Sequence, residues 1–395
     1  LADICSDKTG TLTQGKMVAK RAWIPSRGTY GVGTTNEPHN PTVGHLNFIP
    51  KPPKEADFEQ NINPTPYRDL LEGNEALLDF LKVASLANLA TVHKMDDGNW
   101  TARGDPTEIA IQVLAARFQW NRLDFIHGEP PKWKQLAEFP FDSDVKKMSV
   151  IFEEAATGKR HVFTKGAVER VIYSCTKIIM DESQGPIDMT DVIREDILAN
   201  MESLAALGLR VLALASKDFH GTVTKGEAIE RDGVEDDLIF RGLVGLYDPP
   251  RPESAKSVRQ CQRAGITVHM LTGDHPGTAR AIAAEVGILP SNMNTLAKDV
   301  FDAMVMTAGQ FDKLSDEEID KLPLLPLVIA RCAPQTKVRM IEALHRRKAF
   351  AAMVSDSIVF ILVHLLMNAR PVTVSTILLL SSAQMSVSAW APAPT

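Results

Sequence analysis

The chain has 395 residues, 44% hydrophobic and 23% charged, with a net charge of −6. That is room for two or three globular domains, and it leaves no basic footprint for nucleic acid. Four scattered cysteines, Cys5, Cys175, Cys261 and Cys332, make no Cys-x-x-Cys pair, and with no signal peptide visible they read as reduced thiols in a cytosolic setting. In chain order, an apolar lead from Leu1 to Cys5 predicts a strand end, and DKTGTLT follows at 7–13. Residues 26–66 hold Pro38, Pro41, Pro50, Pro52, Pro53, Pro64 and Pro66, a density that predicts a long surface connection without regular sheet or helix. Over 68–90, Leu70, Leu71, Leu77, Leu78, Leu81, Ala84 and Leu86 recur at helical spacing. Short strands and helices mix up to about residue 240.

From Gly242 strand runs alternate with helical patterns: LVGLY at 243–247, a helix from Glu253, ITVHML at 266–271, a helix from Thr278, LVIARC at 327–332, a helix from Gln335 and FAAMV at 350–354. Such alternation predicts βαβ units on a parallel sheet, with residues 1–16 supplying one more strand. The expected fold is therefore an α/β domain split by a large inserted α+β domain. Its boundaries are 1–25 and 243–357 for the split domain, 26–242 for the insertion and 358–395 for an apolar tail.

The chemistry starts at Asp7. A carboxylate at a strand end sits where open α/β sheets bind ligands. It needs no base at neutral pH, and its attack on a phosphoryl group gives an aspartyl-phosphate. An anion approaching a polyanion needs cations and fixed donors, and Lys8, the Thr9 hydroxyl and the turn at Gly10 stand next in line. Further along, Thr272 and Gly273 end a strand and offer a hydroxyl and N–H groups to a phosphoryl oxygen, with Asp274 reaching ribose or fixing the loop. Asp248 and Arg251 stand in the rigid turn DPPRPES, candidates to line the path of a phosphate-bearing ligand. Arg331 ends a strand, and Lys337 opens a helix whose dipole it opposes, which suits phosphate binding better than stability. In the insertion, Phe141 precedes a lysine pair and can stack on adenine while Lys146 faces a phosphate. Lys165 has a glycine beside it, Glu108 sits early in a helix and Arg210 heads an apolar strand. A P-loop is the competing enzyme motif, since Gly10 to Lys16 fits its spacing, but Met17 replaces the Ser/Thr that holds Mg²⁺.

DKTGTLT is the phosphorylation signature of the P-type ATPases, which the chain resembles from residue 1 to about 356. The strings DICSDKTGTLTQGKMVAKRAWIP, PFDSDVKKMSVIF and LVGLYDPPRPES bring it nearest to the fungal sodium-exporting subfamily. The resemblance implies a haloacid-dehalogenase-like Rossmannoid phosphorylation domain with an inserted nucleotide-binding domain. It implies that Asp7 receives the γ-phosphate of ATP, that the Thr9 carbonyl helps to hold Mg²⁺, and that Lys337 acts on the transferred group. It further implies that Glu108, Phe141, Lys146, Lys165 and Arg210 line the ATP site. Soluble phosphatases of that fold carry a second Asp two residues after the nucleophile; Thr9 stands there instead, which suits a long-lived phosphoenzyme. The full-length pump would export a monovalent cation, sodium or potassium, across the plasma membrane through helices outside this chain.

The resemblance breaks after FAAM. The family continues T-G-D-G-x-N-D; this chain reads VSDSIVF at 354–360. Asp356 stands where the first Asp belongs and remains a candidate metal ligand. Ser355 and Ser357 replace glycines, while Val359 and Phe360 replace the Asn and second Asp. A catalytically impaired ATP-binding module is thus the alternative function. The expectation for the ends is a fragment whose apolar tail, with stretches shorter than the ~20 residues of a spanning helix, is foreign to the pump.

Overall fold

The computed structural model describes residues 2–33, 37–57, 64–221, 223, 231, 233–290, 303–355 and 386–389. The chain forms two compact units: Leu1–Lys16, Ala205–Gly208 and Asp248–Thr395 make one, and Met17–Leu204 with Leu209–Tyr247 the other.

The first unit is built on a sheet in the order Val305–Thr307, Val328–Ala330, Thr267–Leu271, Asp3–Asp7, Ala351–Ser355, Ser386–Ala389. The first five strands are mutually parallel and the last is antiparallel. The chain runs from Asp3–Asp7 to Thr267–Leu271, out to the edge strand Val305–Thr307 and back one place to Val328–Ala330, all on one side of Asp3–Asp7. It then returns to the opposite flank of Asp3–Asp7 with Ala351–Ser355. The strand order therefore reverses at Asp3–Asp7, the point where open α/β sheets leave a ligand crevice beyond their carboxyl ends. Cys5, Leu271, Phe311, Ile329, Met340 and Leu344 form a core around it. The helices start on clear signals. His275 caps Pro276–Glu285 by accepting from Gly277 N at 3.2 Å, and Pro334 opens Pro334–Arg346 at a position where no N–H is needed.

The second unit centres on a 10-stranded sheet, whose main path runs Leu46–Ile49, Gly28–Val32, Val18–Ile24, Leu238–Tyr247, Arg210–Asp218, Arg160–Ala167, Lys147–Glu154, Trp133–Phe139. Neighbours along this path are antiparallel. Side chains alternate between two cores, as the two-residue period of a strand requires. Met148, Val150 and Phe152 pack with Leu77, Phe80, Ile111 and Leu114 of the helices Glu75–Leu86 and Pro106–Arg117. Ile151 and Val162 pack on the other face with Ile172, Ile197, Met201 and Leu204.

Three expectations need correction. Residues 26–66 are not a structureless connection: Gly28–Val32 and Leu46–Ile49 are sheet strands, with Tyr30 buried in the core. The prolines lie outside those two strands, so they interrupt no ladder. The apolar run 243–247 does not belong to the parallel sheet. It is the end of Leu238–Tyr247, antiparallel to Val18–Ile24, so the units divide at Lys16/Met17 and Tyr247/Asp248 rather than after residues 25 and 242. The helical run 68–90 is two helices, Tyr67–Leu71 and Glu75–Leu86, broken at Gly73 (φ 60°) and restarted by the Asn74 side chain accepting from Leu77 N at 3.0 Å. Asp356 and residues 358–385 lie outside the described residues. Among those described, no helix is long and apolar enough to cross a membrane.

Candidate active site

Asp7 closes its strand at the carboxyl end. One carboxylate oxygen accepts from Lys8 N at 2.8 Å and the other from Lys337 Nζ at 2.6 Å. Lys337 therefore uses its awkward place at a helix start to set a cation against the carboxylate. The chain then turns through Lys8–Leu12, where Gly10 adopts φ 77°, a left-handed conformation that disfavours a side chain. Lys8 is not open to a ligand. It is 1% exposed, with Nζ 2.5 Å from Asp274 Oδ2 and 3.9 Å from Asp248 Oδ2. Its charge is thus balanced inside the protein, as a buried ammonium requires. Thr9 is exposed at the rim.

Asp248 and Arg251 act as struts for this loop. Buried Asp248 accepts the Thr13 hydroxyl at 2.6 Å and Gly15 N at 2.9 Å. The Arg251 guanidinium donates to the Gly10 carbonyl, while Arg251 N donates to Leu12 O at 2.9 Å. Thr13 and Gly15 were not singled out by the sequence reasoning, nor was Thr11. The Thr11 hydroxyl is buried and has no hydrogen-bond partner among the described residues. The signal for Thr11 and Thr13 was the repeated threonine of DKTGTLT itself; Gly15 lies beyond that string.

Thr272 follows Leu271, the register partner of Asp7, so its strand ends level with the carboxylate. The buried Thr272 hydroxyl accepts from Asp274 N at 3.1 Å, and Thr272 O accepts from Cys332 N at 2.8 Å. Gly273 is exposed between them. Arg331 N donates to Asp274 O at 3.0 Å, and Arg331 turns with φ 56° and an exposed side chain. The neighbouring Cys332 thiol is pushed up to about 12, chiefly by burial, and is no nucleophile at neutral pH. The structure thus gathers Asp7, Lys8, Asp274 and Lys337 into one charged cluster, with Thr272 and Gly273 at its edge.

In the second unit, Glu108 lies in the first turn of Pro106–Arg117, and its carboxylate pairs with Lys165 Nζ at 2.7 Å. Burial is the main influence on Lys165 and holds its ammonium below the usual lysine value, against the pull of Glu108. Gly166 lets two strands close: a Cβ there would lie 2.4 Å from the Lys146 carbonyl oxygen. Lys146, with φ 56°, is thereby fixed beside Lys165 and Gly166, and Ala167 N donates to its carbonyl at 3.0 Å. Phe141 sits on the hairpin before Lys147–Glu154 and is 62% exposed. Arg210 is exposed at the start of its strand. The ends of these strands set Phe141, Lys146, Lys165 and Arg210 along one end of the sheet. A separate cavity of about 460 Å³, lined by Tyr67, Trp100, Arg117, Asn121 and Asp124 among others, contains none of the expected site residues.

Among the described residues, no cluster of three or more His, Cys, Asp or Glu could hold a metal ion. Asp7 and Thr9 still present oxygen donors of the kind a hard divalent cation takes.

Residues 76–253 match the family model described as P-type ATPase, cytoplasmic domain N. The chain is 45% identical, over 90% of its length, to sodium/potassium exporting P-type ATPase 2 of Saccharomyces cerevisiae, covering 36% of that protein. It is 47% identical to the sodium/potassium exporting P-type ATPase cta3 of Schizosaccharomyces pombe, over 91% of this chain and 33% of the relative. Cation-transporting ATPase pma1 of Synechocystis is 32% identical, over 90% of this chain and 35% of its own. The chain spans about a third of the length of these relatives.

Proposed function

Because the chain belongs to the P-type ATPase family, we propose that it binds MgATP and transfers the γ-phosphate to Asp7, the step that drives cation export in the whole pump. The observation that carries this reading is the Asp7 carboxylate at the end of the order-reversing strand, with the Lys337 ammonium 2.6 Å away. The strand order is also what favours a haloacid-dehalogenase-like phosphorylation domain for the first unit. The second unit is then the nucleotide-binding domain, with Phe141 stacking on the base, Lys146 facing a phosphate, and Arg210 and the buried Glu108–Lys165 pair lining the site. The names of the fungal relatives favour sodium or potassium as the exported ion, and a plasma-membrane pump completed by segments outside this chain.

An Asp7 oxygen attacks the γ-phosphorus, and the bond from that phosphorus to the bridging oxygen breaks, its electron pair leaving with ADP. Lys337 releases Asp7 partly and takes up the charge of the equatorial oxygens. Thr272 and Gly273 donate to the same oxygens, and Lys8, clamped by Asp274, fixes the start of the loop that follows the nucleophile. Asp7, the Thr9 carbonyl and Asp356 would hold Mg²⁺, which supplies charge neutralisation on the phosphates. With Thr9 where phosphatases keep their acid, nothing in the DKTGTLT loop speeds hydrolysis of the phosphoenzyme.

Incubation with γ-labelled ATP and Mg²⁺ tests the proposal. An acid-stable, hydroxylamine-sensitive label should form on Asp7 and vanish in Asp7→Asn, while Lys337→Met should slow labelling by about 100-fold or more. The replacement of T-G-D-G-x-N-D by VSDSIVF favours a second reading, ATP binding without chemistry. Nucleotide binding with no label would establish that reading and overturn the first.

A further inference from the structure

We propose that Arg231 and Glu235 are positioning residues for the nucleotide base: a guanidinium aimed by a buried carboxylate holds the hairpin that presents Phe141. This inference rests on the nucleotide-binding reading of the second unit.

The hairpin joins Trp133–Phe139 to Lys147–Glu154. Its tip is ordered locally, since the Asp142 carboxylate accepts from Asp144 N at 2.7 Å and Val145 N at 3.1 Å. On its Lys146 side the turn is tied to the next strand by Ala167 N donating to Lys146 O at 3.0 Å; Phe141 stands on the other side, next to Pro140. The Phe141 ring is 62% exposed, so packing does not place it, and its position is inherited from the backbone of the hairpin. The two feet of that backbone are the carbonyls of Pro140 and Lys147. Arg231 reaches both, with Nη2 donating to Pro140 O and Nη1 lying 3.5 Å from Lys147 O. A planar fork suits this double task, since two separate nitrogens in a fixed plane reach the two carbonyls where an ammonium has only one nitrogen.

Glu235 fixes the fork. Its side chain is 4% exposed, and one oxygen accepts from Arg231 Nη1 at 2.9 Å and from Ser149 Oγ at 2.7 Å. The other oxygen lies 3.5 Å from Lys147 Nζ. Ser149 is the register partner of Phe139, the last residue before the hairpin, so Glu235 is anchored to the rigid ladder itself. The guanidinium also lies over the Phe139 ring, 5.9 Å from its centroid. A rigid ladder thus holds a carboxylate, the carboxylate aims a guanidinium, and the guanidinium sets the hairpin. Preorganising an exposed stacking ring in this way removes an entropic cost from binding.

MgATP affinity by titration calorimetry on the full chain tests this, with thermal melting of each nucleotide-free variant to check folding. Arg231→Ala and Arg231→Lys should each weaken MgATP by roughly tenfold, lysine failing because one nitrogen cannot reproduce the two separate guanidinium nitrogens that reach Pro140 O and Lys147 O. Glu235→Gln should weaken it less. Combined with Phe141→Ala, Arg231→Ala should add far less than its effect alone, because it acts through the ring already removed. A purely structural role would lower the melting temperature but leave the affinity of the folded protein unchanged, or make the two losses add. Either result overturns the proposal. Should Arg231→Ala not fold, Arg231→Lys carries the test, and wild-type affinity in that folded variant refutes the clamp. If Phe141→Ala itself binds MgATP normally, the stacking role is wrong and the positioning role falls with it. If only the Arg231 variants bind normally, the nucleotide reading survives and the clamp alone fails.

Discussion

Replacing Asp248 separates a loop strut from a nucleotide contact. Its buried carboxylate accepts two hydrogen bonds, from the Thr13 hydroxyl at 2.6 Å and Gly15 N at 2.9 Å, and neighbours Lys8 at 3.9 Å. A hydrogen bond to a charged group contributes about 1.5–3 kcal/mol, so losing both in Asp248→Ala should destabilise the first unit by about 3–6 kcal/mol. Asp248→Asn keeps the shape and one acceptor and should cost about half as much. A domain has only about 5–15 kcal/mol in hand, so the alanine variant folds in the cold with little margin. Urea unfolding followed by circular dichroism reads the loss. Hydrogen exchange on the peptide covering residues 8–16 locates it. MgATP affinity should stay within about twofold of wild type, since the strut does not bind nucleotide. An unshifted urea midpoint with a tenfold weaker affinity would mean that Asp248 faces the nucleotide after all.

Two further predictions concern the second unit. Removing one partner of the buried Lys165–Glu108 pair should cost about 3–5 kcal/mol, so Glu108→Gln lowers the melting temperature, and Lys165→Met added to it recovers much of the loss. Burial depresses the Lys165 value in the folded state below 10.5. The folded protein then binds fewer protons than the unfolded chain between that lowered value and 10.5, so wild type gains stability over the double variant as pH rises through that window. Parallel melting curves across alkaline pH would contradict this. Gly166→Ala would put a Cβ 2.4 Å from the Lys146 carbonyl and 3.0 Å from Lys147 Cα, both backbone atoms. Prising the strands apart should cost about 1–3 kcal/mol and weaken MgATP, measured by melting and calorimetry; a variant with wild-type values on both would show that the strands yield freely.

The parallel unit was legible because its strand and helix periods alternate cleanly, and its helices begin at Pro276 and Pro334. Asp7 was legible for a different reason, since a seven-residue string leaves little room for coincidence. The run 243–247 was misassigned because a short apolar stretch reads the same whether its partners are parallel or antiparallel; only the ladder to Val18–Ile24 decides. Proline density hid the strands Gly28–Val32 and Leu46–Ile49, since local composition says nothing about which neighbours cover a segment. Within the site, charge was visible but its use was not. Lys8 looks like a ligand cation in sequence and is a buried ion pair in the fold. Asp248 and Arg251 look like nucleotide contacts, and their hydrogen bonds run instead to the loop from Gly10 to Gly15. Arg231 and Glu235 stand four residues apart in sequence, but the ladder residues they hold, Lys147 and Ser149, lie 84 and 86 residues away.

Val18 and Tyr247 are direct partners in the ladder, so the second residue and the last residue of the second unit stand side by side although more than half the chain separates them. On the other side of the seam, Gly15 N touches Asp248 and Thr13 bridges to Pro250. A segment whose two ends meet can lengthen, shrink or be exchanged between pumps without stretching what it interrupts. On the function proposed above, evolution can thus retune how the second unit holds ATP while the Asp7 loop keeps its geometry, provided that seam of paired backbone is preserved.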